Sequence, residues 1–191
     1  MIGSLNGRLI EKYPTELLIE CGGVGYEVKI SLNTFSQLSE SESIKIFTKL
    51  IVREDAHILY GFNTKDEREM FNLLISVSGI GPNTALIMLS SLSSEEIAIA
   101  IQTEDVATIQ KVKGIGAKTA QRVIIDLKGK VLKFSSESEN IFSKNNTNRF
   151  DALTALVSLG FDKKSAEKVL DKIDTGNETI EQLIKGALKL L

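Results

Sequence analysis

Two nine-residue stretches carry the residues best suited to hold a ligand. Val77-Ser78-Gly79-Ile80-Gly81-Pro82-Asn83-Thr84-Ala85 and Val112-Lys113-Gly114-Ile115-Gly116-Ala117-Lys118-Thr119-Ala120 match in register at Val, Gly, Ile, Gly, Thr and Ala, 35 residues apart. Two glycines flanking one apolar residue permit a tight turn with positive φ, where a Cβ would clash. Ile80 and Ile115 can pin each turn into a core. The first amides of the following helix then have no partner inside it. Such converging N–H groups suit a small anion, and a phosphate fits them. Asn83, Thr84 and Thr119 add polar groups in the first turn, and Lys118 adds a charge. Arg122 lies one helical turn beyond Lys118, on the same side. The plainer reading is a pair of helix-to-helix turns that need glycine for geometry. The matched repeat shifts the balance toward a paired phosphate clamp.

The pattern resembles the helix-hairpin-helix motif, which grips a nucleic-acid backbone without reading bases. The chain's net charge of −2 is unusual for such a role. The charge is segregated, however. From Lys111 to Lys133 there are seven basic residues and one acid, Asp126. Residues 1–62 carry six basic and eight acidic residues. One face can therefore be basic while another is acidic.

Other chemistries find little support. Cys21 and His57 are each the only residue of their type. That leaves no disulfide framework, no metal-ligand cluster and no expected cofactor. A glycosylase or nuclease built on hairpins would need converging catalytic groups. Lys118 and Asp126 are the only candidates, and on one helix they stand about 12 Å apart along its axis. No catalytic residue is expected. No 18-residue apolar run and no signal-peptide pattern is present, so a cytoplasmic protein without a membrane partner is expected.

The elements that must position the repeats follow from patterning. Residues 1–62 read as five short strands. They are Ile2 to Ile10, Leu17 to Cys21, Tyr26 to Ile30, Ile44 to Val52 and Ala56 to Phe62, with Asn33 capping a helical turn before the fourth. This suggests a small OB-like barrel. Arg53-Glu54-Asp55-Ala56 forms a charged hairpin tip. Residues 63–134 read as helices around the repeats, with capping boxes at Thr64/Glu67 and Ser93/Glu96 and a helix start at Thr103-Glu104-Asp105. The hairpin helices are expected over Ala85 to Leu92 and Ala117 to Val131.

Residues 135–148 are polar and read as a flexible linker. Residues 149–191 read as three helices. Phe150 to Ser158 ends at Gly160, Asp162 caps Lys163 to Ile173, and Thr179 caps Ile180 to Leu191 with Gln182. The expected core includes Leu153, Leu156, Val157, Val169, Leu170, Ile173, Ile180, Leu183, Ile184 and Leu188. Leu156 to Phe161 resembles the loop of ubiquitin-associated-type three-helix modules, which usually bind protein. The fold class is thus α+β multidomain: barrel, all-α tandem hairpin domain, linker and three-helix module.

Met1-Ile2-Gly3, Gly22-Gly23-Val24-Gly25-Tyr26-Glu27-Val28, Val52-Arg53-Glu54-Asp55-Ala56, Leu59-Tyr60-Gly61-Phe62 and both Gly-Ile-Gly turns closely resemble the RuvA family across essentially the whole chain. The resemblance implies a non-catalytic subunit for Holliday (four-way) junction DNA in recombination, DNA repair and the SOS response to DNA damage. It implies a homotetramer that holds the junction open and square-planar, and an octamer when two tetramers sandwich it. It implies backbone binding by Gly79, Ile80, Gly81, Asn83, Thr84, Gly114, Ile115, Gly116, Lys118, Thr119 and Arg122. Glu54 and Asp55 match an acidic pin at the tetramer centre. The third module would contact the RuvB ATPase motor, with Leu156, Leu159, Gly160 and Phe161 as the candidate contacts, and the RuvC resolvase would join the larger complex. Two positions depart from the family pattern, since Asn83 and Ala117 stand where lysines are frequent. The alternative is a generic hairpin DNA-backbone binder or a scaffold.

Overall fold

A computed structural model describes residues 1–39, 41–131, 144–175 and 178–191. The described residues up to Val131 form one compact unit, and those from Lys144 form a second.

The first unit begins with strands β1 (Ser4–Tyr13), β2 (Glu16–Cys21) and β3 (Val24–Ile30), helix α1 (Leu32–Gln37), and strands β4 (Ser43–Val52) and β5 (His57–Phe62). They close into a barrel in the order β1-β2-β3-β5-β4, the OB-like arrangement expected. β3 and β5 run parallel, and the other neighbours are antiparallel. Leu17, Ile19, Val28, Ile30 and Ile46 fill the interior. The Gly22-Gly23 turn between β2 and β3 has φ of +61° and +84°, the backbone that a two-residue hairpin turn demands. β1 extends further than its weak alternation suggested. Its first half pairs with β4 and its second with β2, and the register shifts between Leu9 and Glu11. A single alternating pattern cannot describe a strand that changes partner at a bulge.

Helices α2 (Lys65–Ile75), α3 (Pro82–Ser91), α4 (Ser94–Gln102), α5 (Val106–Gln110) and α6 (Ala117–Leu127) complete the unit. Their core takes in Tyr60 and Phe62 of β5 and is separate from the barrel interior. Tyr60 and Phe62 of β5 pack their rings against Phe71 of α2, with centroids 5.1 and 4.9 Å apart. A polar joint reinforces this contact. The buried Glu67 carboxylate accepts from Ser31 Oγ at 2.5 Å, Thr34 Oγ1 at 2.6 Å and the Asn63 amide at 3.2 Å.

That joint corrects two expectations. Thr64 caps α2 through the Glu67 amide at 3.1 Å, but the Glu67 side chain turns to the barrel instead of completing a capping box. Ser31, not Asn33, caps α1. The Asn33 amide instead donates to the carbonyls of Leu89 and Leu92 at 2.7 and 3.1 Å. Both polar groups find better-buried partners on a distant element. The Ser93/Glu96 capping box forms as expected. α5 starts one residue after Asp105, because Glu104 takes φ of +57°. Thr108 donates its hydroxyl and amide to Asp105, which holds that carboxyl below its ordinary pKa.

The second unit holds α7 (Lys144–Ser158), α8 (Lys163–Ile173) and α9 (Ile180–Ala187). Ala152, Leu156, Ala166, Val169, Leu170, Leu183 and Ala187 form its core. Asp162 caps α8, and Thr179 with Gln182 makes a full capping box on α9. Two details differ from the sequence reading. α7 begins at Lys144, where Asn148 donates to the Glu178 carbonyl at 3.2 Å and Arg149 pairs with Asp171, tertiary partners that offset poor local propensity. Residues 135–143 of the expected linker lie outside the described residues. Val157, Ile180 and Leu188 are 43%, 36% and 44% exposed and so leave the expected core, because the small bundle covers one face of each helix.

Candidate nucleic-acid interface

The two repeats adopt one backbone geometry. Gly79 and Gly114 have φ of +94° and +90°, a region that L side chains rarely enter. The Ile80 amide donates to the Val77 carbonyl at 3.0 Å, and the Ile115 amide to Val112 at 3.1 Å. The Ala85 amide donates to the Gly81 carbonyl at 3.0 Å, and the Ala120 amide to Gly116 at 2.9 Å. Ile80 and Ile115 are each 5% exposed, so both turns are pinned by their central side chains, and only their backbones face outward.

The second glycine of each turn is informative for a different reason. Gly81 and Gly116 have φ of −86° and −82°, ordinary values for any residue. A Cβ at either would meet nothing within 4 Å. The chain itself therefore does not require glycine there. What a side chain would do is fill the space before the first amides of α3 and α6. Helices α1, α2, α4, α5, α8 and α9 all begin with a side-chain cap, from Ser31, Thr64, Ser93, Asp105, Asp162 and Thr179. α3 and α6 have no side-chain cap bond. Their early N–H groups stay open to an external acceptor, where the helix dipole favours an anion.

The side chains around the turns carry donors. Asn83, Lys118 and Arg122 are exposed, and Thr84 and Thr119 are half-buried. Arg122 crosses to the other hairpin, and its Nη1 donates to the Ser78 carbonyl at 3.3 Å. This bond brings the second hairpin helix against the first turn. The ion pairs among the described residues do not involve Lys113, Lys118 or Arg122. Lys128 is paired with Glu104, which lowers the Glu104 pKa, so it adds less free charge.

Two groups at the interface escaped the sequence reading. Tyr60 donates its hydroxyl to Asn83 Oδ1 at 3.3 Å, and Ser78 supplies the carbonyl to Arg122. Nothing in their spacing marks either one, because both partners come from distant elements. Burial raises the Tyr60 phenol pKa, with the nearby Arg53 charge acting the other way.

Glu54 and Asp55 lie exposed at the tip between β4 and β5, closed by the Arg53 amide on the Ala56 carbonyl at 2.8 Å. In the second unit, Gly160 takes φ of +100° after α7, and the Phe161 amide returns to the Leu156 carbonyl at 3.2 Å. Leu156 is fully buried and Phe161 packs on the core, whereas Leu159 is 62% exposed. Leu159 and Gly160 are exposed, and Phe161 is half-buried. No single helix among the described residues is long and apolar enough to cross a membrane, and no metal-ligand group of three occurs among them.

A closed OB-like barrel fused to two uncapped Gly-Ile-Gly helix starts defines a tandem helix-hairpin-helix protein. Comparison with known families agrees over each part. Residues 1–61 match the RuvA N-terminal domain, 71–129 the SAM-like helix-hairpin-helix tandem, and 147–191 the RuvA C-terminal domain. The chain is 56% identical over 193 residues to a Christiangramia forsetii protein and 54% identical to one from Flavobacterium psychrophilum, each covered completely on both sides. A Pasteurella multocida protein is 40% identical over 201 residues, covering 99% of this chain and 98% of its own. All three bear the name Holliday junction branch migration complex subunit RuvA. The chain belongs to the RuvA family.

Proposed function

We propose that this chain binds four-way junction DNA by its phosphate backbones and serves as the junction-recognition subunit of a branch-migration complex. The carrying observation is the pair of matched hairpin turns whose helix amides lack side-chain caps. Gly79, Ile80, Gly81, Asn83 and Thr84 form one clamp, and Gly114, Ile115, Gly116, Lys118, Thr119 and Arg122 form the other. Backbone amides, hydroxyls and cations recognise phosphate without sequence information. The subunit performs no bond chemistry. It positions DNA, while a RuvB-type ATPase motor, contacted through the exposed Leu159–Gly160 corner of the second unit, supplies energy.

The reading continues to assembly. A four-fold homotetramer brings Glu54 and Asp55 of each copy to the crossover, where their carboxylates repel phosphates and help part strands. A second tetramer can close the sandwich, RuvC resolvase joins the larger complex, and the whole acts in the cytoplasm.

The test is a gel-shift titration at two salt concentrations, with a synthetic four-way junction and a linear duplex of the same sequence. Junction binding well above duplex binding, weakened by salt and lost in a Lys118→Ala, Arg122→Ala double variant, is the expected result. Equal binding to both probes would reduce the chain to a generic backbone binder. No binding at low salt would overturn the DNA reading and leave a protein scaffold.

A further inference from the structure

The two hairpins share a backbone but differ in charge. Asn83 and Lys118 occupy the same register position. Residues 78 to 84 carry no charged side chain, whereas Lys113 and Lys118 bracket the second turn and Arg122 follows. The uncharged hairpin instead leans on the barrel. The Tyr60 ring is 1% exposed and packs on Phe71, so its hydroxyl is fixed in place. A phenol ordinarily titrates at about pH 10, so the Tyr60 hydroxyl is protonated through the neutral range and donates to Asn83 Oδ1. A donor on Oδ1 sets the amide plane and turns the two Nδ2 hydrogens the other way. Asn83 is exposed at the second position of α3, beside the uncapped amides. Lys118 has no such anchor and none of the described ion pairs.

We propose that the clamps divide the work: the first, whose own residues are uncharged, fixes where a phosphate sits, with Tyr60 as the positioning residue for Asn83. The second, through Lys118, carries the charge-dependent part of the affinity, while Arg122, held on the Ser78 carbonyl, ties the two turns together. This rests on reading the hairpins as phosphate clamps. A rigidly held neutral donor loses little freedom on binding and displaces no counterion. A lysine that neutralises a phosphate releases counterions, and its contribution falls with salt.

The experiment measures junction affinity of the full chain across a salt series. Lys118→Ala should flatten the plot of log affinity against log salt, by about 0.9 for each phosphate that is no longer neutralised. Tyr60→Phe should weaken binding roughly two- to tenfold at every salt and leave the slope unchanged. Asn83→Ala removes the Nδ2 donor that Tyr60 orients, without touching the core, and should shift affinity in parallel at every salt by at least as much, which covers a misfolded Tyr60→Phe. Asn83→Lys should steepen the slope. Wild-type affinity in both Tyr60→Phe and Asn83→Ala, or an unchanged slope in Lys118→Ala, would overturn the division of work. If the wild-type chain itself fails to bind the junction at low salt, the clamp reading fails as well.

Discussion

Four glycines separate two physical demands at the hairpins. Gly79 and Gly114 are needed by the fold, because their φ of +94° and +90° strains any L residue. Gly114→Ala should cost about 1–2 kcal/mol and lower the thermal midpoint together with junction binding. Gly81 and Gly116 face open space with ordinary φ. Gly116→Ser would give α6 the side-chain cap that it lacks. Thermal stability should hold or rise by a few tenths of a kcal/mol, while junction affinity falls in a gel shift. A parallel loss of both would assign Gly116 to structure alone. Arg122 shows where spacing stops being informative. Its position one turn from Lys118 follows from helical geometry, but its bond to Ser78 spans 44 residues and depends on the packing of α6 against the first turn.

Among the elements, local end signals predict well and fail where a distant partner competes. Ser93 with Glu96, Asp162, and Thr179 with Gln182 cap their helices as their spacing predicts. Glu67 stands at the same spacing from Thr64, yet its carboxylate joins α2 to Ser31 and Thr34 at the start of α1, the helix between β3 and β4. This makes Glu67 a joint between the barrel and the hairpin helices. Glu67→Ala would strand two hydroxyls and the Asn63 amide at a site where the residue is only 6% exposed. The expected loss is about 1–3 kcal/mol in urea denaturation, with weaker junction binding because the hairpins lose their fixed base. An unchanged midpoint would mean that water replaces the carboxylate.

For the whole molecule, charge distribution matters more than its sum. The net charge is −2, but residues 111–133 carry seven basic residues against one acid, so cations surround the second hairpin. In the proposed assembly the exposed Glu54–Asp55 tip meets the crossover, so its effect is selectivity more than affinity. Glu54→Gln with Asp55→Asn should tighten binding to linear duplex more than to the junction, narrowing the ratio between them in parallel titrations. An unchanged ratio would remove the tip from the account.

The sequence by itself determined the closed barrel, the paired turns, the three-helix module and most helix starts. These follow from alternation, glycine placement and caps, which act over a few residues. The Gly-Ile-Gly repeat also identified the candidate interface, because a turn that requires glycine twice in register is a local constraint. Only the tertiary structure decided that Gly81 and Gly116 are unforced, that Tyr60 holds Asn83, that Arg122 reaches Ser78, and that Leu156 is buried support. Each of these depends on which residues meet across elements. A buried polar group takes whichever partner the packed structure offers, and no local spacing encodes that choice.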